Sequence, residues 1–283
     1  MTIVGSVHSI YRYPVKSMAG EKLDGAAIGP GGLVGDRQWA LRDTETGKLV
    51  SAKRPSRWGA ILECQAWYDD DGKTHLELPS GTQFEMQDPA AAVALSDLFG
   101  RVVTVERFRE PTQGSYESDW PTIEGMVLSG QESVEFPTNV GGDHTDGFVD
   151  VSPIHVTTTS GMRTLRKADT SLMVDDRRFR LTIVVDTGNT EGFVENEWSG
   201  REVNIGEVVL SVTRPTFRCM MAVAAQNELP HQNEVLKTLA RINGDHVHLK
   251  LVEASGRGAH FGVWANVAKP GPIRIGDVTS LKG

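Results

Sequence analysis

An α+β fold, predominantly β and built from barrel-like sheets with a few helices, is predicted by three features of this 283-residue chain. Short segments rich in Val, Ile, Thr, Trp and Tyr recur along its whole length, the composition that fits a pleated, half-buried surface. Turn residues punctuate them, as at Asp71-Gly72, a pair that favours a tight hairpin. Stretches with the apolar spacing of a surface helix are few.

Taken in order, residues 1–10 read as a first strand through Ile3, Val4, Val7 and Ile10. Residues 39–43, 60–68, 74–79 and 102–108 read as further strands, which places Cys64 on a strand. Among them a helix starts at an Asp88 cap with Pro89 in its first position and ends at Gly100. Val93, Leu95, Leu98 and Phe99 are its expected buried stripe. Residues 110–121, with Pro111, Gly114, Ser115 and Ser118, are polar and turn-rich. They mark either a long loop or a boundary between a first, strand-rich domain over 1–112 and a second domain over 113–283, each long enough to bury a core. In the second part, 154–159, 181–186, 208–213, 246–252, 262–267 and 271–277 read as strands. Residues 160–168 and 233–242 read as helices, the latter with Val235, Leu236, Leu239 and Ile242 on one face.

The net charge of −8, from 29 basic and 37 acidic residues, argues against nonspecific nucleic-acid binding. Apolar runs such as 181–185 and 208–212 are far too short to span a bilayer, and the N-terminus lacks the basic-then-apolar pattern of a secretory signal. A cytoplasmic protein that binds neither membrane nor nucleic acid is expected. The two cysteines, Cys64 and Cys219, make neither a disulfide framework nor a four-thiolate iron–sulfur cluster. Electrons for any redox chemistry must come from elsewhere.

The segment Arg214-Pro215-Thr216-Phe217-Arg218-Cys219 carries the clearest chemistry. Proline interrupts a strand ladder, so the chain is expected to turn there and leave Cys219 on a loop. A basic neighbour such as Arg218 favours a thiolate, the form that binds soft metals. A buried structural cysteine is the plainer alternative. Cys64 has no basic neighbour and reads as packing. Lys16, Arg37, the Lys53/Arg54/Arg57 group and the Arg177/Arg178/Arg180 group are each solvated charges if taken singly. Together, beside Gly- and Pro-rich turns, they suit an anion site. A zinc site from Asp143, His144 and Asp146, or from His246 and His248 on one strand face, matches no recognised ligand spacing.

Several motifs in order carry a resemblance. Tyr13-Pro14-Val15-Lys16-Ser17 followed by Gly32-Leu33-Val34-Gly35-Asp36-Arg37 resembles the N-terminal β-barrel segment of MOSC proteins. Phe193-Val194-Glu195-Asn196-Glu197-Trp198, then Pro215-Thr216-Phe217-Arg218-Cys219, then residues 270–277, resemble the MOSC domain. The matches span nearly the whole chain and are closest to the group that contains the mitochondrial amidoxime-reducing component and its bacterial relatives.

The resemblance implies a molybdenum cofactor, a molybdopterin whose dithiolene supplies the other sulfur ligands, with Cys219 binding the metal directly and acting as the catalytic residue. It implies that Lys16, Arg37 and Arg180 hold the cofactor, with Arg218 beside them and a hydroxyl from among Thr157, Thr158, Thr159 and Ser160 in the same region, Thr158 and Ser160 being the candidates. Two departures stand out. The family's Arg-Pro-Asn is here Arg180-Leu181-Thr182, and its Ser before Arg-Cys is here Phe217. The implied reaction is reduction of a small N-hydroxylated substrate, N–OH to N–H, with an external flavin or iron–sulfur reductase as electron donor. Asp36 and His155 are the conceivable proton donors. The alternatives are persulfide transfer at Cys219, as in MOSC domains attached to cofactor sulfurases, and a non-catalytic cofactor carrier.

Overall fold

The computed structural model describes residues 1–109, 114–139, 145–244, 246–249 and 254–282, with only the backbone for 246–249 and 254–256. The fold is mostly β, as the sequence predicts. Its centre is a closed ring of seven strands: β1 Thr2–Arg12, β2 Ile154–Thr158, β3 Ile183–Asp186, β4 Glu202–Ile205, β5 Val208–Phe217, β6 His260–Lys269 and β7 Val278–Leu281. The strands run in the order β3-β2-β6-β5-β4-β7-β1, and β1 pairs back onto β3. Closure leaves no edge within the ring. Only β2 and β3 are parallel, and the helix Thr159–Ala168 supplies their crossover.

The ring is filled from within by Val7, Ile10, Ile154, Val156, Ile183, Val203, Leu210 and Val263 with their neighbours, all buried. Val7 and Ile10 are three residues apart, and a strict alternation would send them to opposite faces. A bulge between Val7 and Ser9 absorbs the mismatch, so both point inward. Ile3 lies beyond it and is 72% exposed.

The chain between β1 and β2 builds a second core around Val15, Met18, Leu41, Trp58, Leu62, Leu76 and Leu95. Strand Trp39–Asp43 pairs with Val103–Arg107, and Gln65–Tyr68, Thr74–Glu77 and Gln83–Glu85 form a meander. Helix α1, Pro89–Phe99, starts and stops as expected: Asp88 accepts from the Ala90 N–H, and Gly100 closes it at φ 61°. Of its expected buried stripe, Leu95 is buried and Leu98 and Phe99 pack partly buried against the same core, but Val93 does not belong to it. Ala91 and Leu95, one turn apart, face the core, and Val93, halfway between them, is 61% exposed.

Residues 60–68 are likewise not one strand. Gly59–Glu63 is a 3-10 turn following a short helical segment Pro55–Trp58, and Ile61 and Leu62 are both buried, which no alternating strand permits. Cys64 therefore caps that turn rather than sitting in a strand.

Helices α2, Thr159–Ala168, and α3, Glu234–Ile242, cover one side of the ring through Met162, Leu165, Val235, Leu236 and Leu239. Ile242 is only partly buried at the edge of that core. The strand expected from Leu181 begins instead at Ile183, because Arg180 takes a left-handed turn at φ 48°. The strand β5 also corrects an expectation: Pro215 does not end it, and the chain stays extended to Phe217. Strand β4 reaches only as far as Ser211, so near Pro215 one edge of β5 is unpaired and the missing N–H is needed nowhere. No described helix is long and apolar enough to cross a membrane. The boundary placed between 112 and 113 lies outside the described residues.

Candidate functional site

Where β1 and β5 end and β2 and β3 begin, the connecting segments converge on a cavity of about 110 Å³. Lys16, Ser17, Arg37, Lys53, Asp150, His155, Arg180, Thr216, Arg218 and Cys219 contribute to its wall. Lining it are five basic side chains, the neutral His155 and one acid, in a chain whose net charge is −8. Three of these residues, Ser17, Arg37 and Arg180, hold positive φ angles of 71°, 50° and 48°. Backbone of that kind persists only where the surroundings enforce it, and it clusters at binding sites.

Arg37 is enforced by hydrogen bonds from its N–H to the Tyr13 carbonyl (2.7 Å) and from the Phe148 N–H to its own carbonyl (2.9 Å). Its guanidinium pairs with Asp36, which also accepts from the Tyr13 N–H at 2.7 Å. Asp36 is thus engaged in holding the loop and is not among the cavity-lining residues. Arg180 stacks on the Tyr13 ring at 4.1 Å and donates to the Met18 carbonyl. Burial, with Arg37 nearby, lowers its pKa to about 10. Arg218 donates from Nη2 to the Phe179 carbonyl (2.8 Å), and burial lowers it, too, to about 10.

Lys16 and Lys53 share Asp150. Lys16 is 4% exposed and also donates to the Phe148 carbonyl at 3.2 Å. Burial pushes it down to about 8, against the pull of Asp150. Burial works against Lys53 as well, but Asp150 and Tyr116 outweigh it and hold Lys53 above its ordinary range. Burial alone would raise Asp150, yet the two ammonium groups hold it well below the usual carboxylate range. One carboxylate between two ammonium groups leaves local positive charge uncompensated.

The decisive detail is what lacks a partner. Arg180 Nη2, Arg218 Nε and Thr216 Oγ1 are buried, on cavity-lining residues, and have no hydrogen-bond partner. Orphaned buried donors are rare and costly in native structures. Two orphaned guanidinium nitrogens beside two lysines fit an anionic group with several oxygen acceptors, and the thiol of Cys219 lies on the same wall. Cys219 is half-buried just beyond β5, as the sequence predicts despite the continued strand.

The structure thus brings together Lys16, Arg37, Arg180, Arg218 and Cys219. Thr158 and Ser160 do not line the cavity. Their hydroxyls bond each other at 2.9 Å, Thr158 also donates to Glu195 at 2.6 Å, and it caps α2 by accepting from the Gly161 N–H. Glu195 is fully buried, with its pKa raised by that burial. A Cβ on Gly161 would come within 2.9 Å of its carboxylate, so glycine is what admits the acid there.

Lys53, from the group expected at an anion site, also lines the cavity, as do Asp150, Thr216, Phe217 and Trp264, which were not singled out as ligand contacts. Of these Asp150 had a signal: an acid in Asp150-Val151-Ser152-Pro153, just before a buried strand, is the counter-charge that buried lysines require.

The Arg177–Arg180 group divides by environment. Arg177 pairs with Asp175 and Glu228. Arg178 is fully buried and donates to the carbonyls of Met173, Ala224 and Pro230, tying down the chain that follows Cys219. Arg178→Met is expected to destabilise the fold by roughly 3 kcal/mol, since it strands those carbonyls. Urea unfolding measures it, and a loss below about 1 kcal/mol would refute the structural role.

Residues 143 and 144 and the side chains of His246 and His248, which carried the zinc alternatives, lie outside the described residues. Among the described residues no group of three or more His, Cys, Asp or Glu is placed to hold a metal.

A curated protein, molybdenum cofactor sulfurase from Drosophila persimilis, is 28% identical over 252 residues. The match covers 81% of this chain and 30% of that protein, so the chain spans under a third of its length. Two crystal structures are more distant. The YUAD protein from Bacillus subtilis has a TM-score of 0.45 at 10% identity, covering 99% of this chain and 96% of that one. YiiM from Geobacillus stearothermophilus has a TM-score of 0.33 at 15% identity, covering 47% of this chain and 55% of that one. At such scores neither bears on the fold or the site. Residues 4–101 match the MOSC N-terminal beta barrel domain and residues 143–280 match the MOSC domain, so this chain belongs to the MOSC family.

Proposed function

We propose that this chain binds a molybdenum cofactor with Cys219 as its protein ligand, and that it reduces small N-hydroxylated compounds. The observation that carries the reading is the set of orphaned donors on Arg180, Arg218 and Thr216, in the same cavity as a lone thiol and the Lys16/Lys53 pair. In this reading the arginines and Thr216 receive the anionic oxygens of a molybdopterin phosphate, with Lys16 and Arg37 adding charge. When bound, the molybdenum centre supplies the two-electron step that removes oxygen from the N–OH group.

The chain's own residues do the rest. Phe217, stacked on Trp120 at a ring separation of 5.3 Å, and Trp264 present an apolar wall that excludes water and orients the substrate. Reduction of R–NHOH to R–NH2 and water consumes two electrons and two protons. Lys16, brought down to about 8, is a proton donor poised near neutrality. His155 is not suited to that role, because burial and Arg218 push it down to about 3 and it is neutral at neutral pH. The electrons come from a separate flavin or iron–sulfur reductase, since this chain's two cysteines cannot hold a cluster.

The test uses protein from a host that makes the cofactor, a chemical reductant and an aromatic N-hydroxyl substrate. Amine release that tracks molybdenum content supports the enzyme. Molybdenum-loaded protein with no turnover of any N-hydroxyl compound leaves only a carrier. A second reading, persulfide transfer at Cys219, draws on the likeness to a protein named a molybdenum cofactor sulfurase. It predicts a sulfane sulfur on Cys219 by mass spectrometry and no retained metal.

A further inference from the structure

Behind Arg180 lies a second cavity, of about 230 Å³, with no part in the reading above. Arg180 lines both cavities, and its stack on Tyr13 forms the partition between them. The charged residues on the wall are Lys22, Arg177 and Arg180, with no carboxylate among them. Gln226 is 5% exposed, and its Nε2 is buried with no hydrogen-bond partner. Its backbone is locked in a tight turn by reciprocal bonds with Leu229 at 3.0 and 2.9 Å. Tyr11 and Tyr13 supply ring surface, and Ala19 and Gly20 also line the cavity, Gly20 close against the Tyr13 ring.

An amide donor without an acceptor, a wall lined by Lys22, Arg180 and the acid-paired Arg177, and two aromatic rings describe a ligand with a planar acidic end and a flat apolar body. We propose that this cavity is a second ligand site, for a small aromatic carboxylate. The carboxylate is received by Gln226 and the basic wall, and its ring lies against Tyr11 and Tyr13. Inorganic phosphate shares the charge but leaves the rings uncovered, and a neutral aromatic amide brings no counter-charge to Lys22 and Arg180.

The experiment is a fluorine NMR titration of full-length protein with 4-fluorobenzoate, with unlabelled benzamide and inorganic phosphate as competitors. It reads binding and not turnover, so it stands apart from the molybdenum reading. Saturable binding is expected, weakened about ten-fold by Gln226→Leu and about three-fold by Lys22→Glu, the sizes of a charge-assisted hydrogen bond and of an exposed charge. Lys22 is exposed, so its variant keeps the test alive if Gln226→Leu fails to fold. Absence of saturable binding overturns the proposal. So does binding that both variants leave unchanged, or binding lost in Lys53→Ala and kept in Gln226→Leu, which places benzoate in the first cavity. Competition by phosphate equal to that of benzoate overturns the aromatic class.

Discussion

Cys219→Ala should lose bound molybdenum almost completely while the protein keeps its fold. The side chain is half-buried at the edge of two apolar clusters, and the backbone around it is held by other groups. The Arg218 N–H donates to the Ala259 carbonyl at 2.7 Å, and Arg178 anchors the Ala224 carbonyl beyond. Deleting one partly buried sulfur from such a setting costs about 1 kcal/mol. In the proposed site the metal, by contrast, would lose the protein ligand assigned to it. Cys64→Ala is the control: that thiol is fully buried and its nearest acceptor is the Ala60 carbonyl at 3.7 Å. It should lower the melting temperature at least as much and leave the metal untouched. Elemental analysis by mass spectrometry beside thermal melts decides the matter. Molybdenum retained equally by Cys219→Ala would sink the ligand assignment, and an unfolded Cys219→Ala would return the cysteine to a structural role.

The second large effect is on acid stability. His155 is 6% exposed, its Nε2 is 3.0 Å from the Phe261 carbonyl, and a Cβ on Gly262 would collide with the ring at 2.4 Å, so the imidazole occupies a closed seat. Burial first, and Arg218 second, push its pKa from 6.5 to about 3. Between those values the unfolded chain binds a proton that the folded chain refuses, so stability falls as pH falls through that window. The expected slope is about 1.4 kcal/mol per pH unit, reaching on the order of 4 kcal/mol near pH 3, a large part of the stability of an ordinary domain. The buried carboxylate of Asp150, held low by its lysines, loses its contribution only below the ordinary carboxylate range. Urea unfolding between pH 6 and pH 5, read as the difference between the wild type and His155→Gln so that the opposite contribution of buried Glu195 cancels, therefore isolates the histidine. His155→Gln keeps a donor for the Phe261 carbonyl and should flatten that slope whatever it does to absolute stability. An unchanged slope would mean that His155 is charged in the fold.

Much of this was legible in one dimension because it rests on local chemistry. Asp88, Pro89 and Gly100 bracket a helix by capping rules that act within a turn. Tyr13-Pro14-Val15-Lys16, Gly35-Asp36-Arg37 and Arg218-Cys219 are contiguous, so each survives as a readable motif. Residues 60–68 misled because apolar content alone does not distinguish a strand from a 3-10 turn, and Pro215 misled because the rule against proline in strands applies only where both edges are paired. Val93 was misplaced because the core contacts of Ala91 and Leu95 chose the buried face.

What the sequence determined by itself was the predominantly β composition, the helix ends and the thiol and cations that come to line one cavity, since these were read from residue type and short-range spacing. The tertiary structure alone decided three things. It threaded the first strand into a ring with strands from the second half, through hydrogen bonds between β1 and β3 some 175 residues apart in the chain. It sorted Arg177, Arg178 and Arg180 into a surface pair, a structural brace and a cavity wall, because burial and partners, not residue type, set what an arginine does. It assigned Thr158 and Ser160 to a buried Glu195 and left Arg180, Arg218 and Thr216 with unmet hydrogen bonds, and unmet donors exist only once the chain has closed around them.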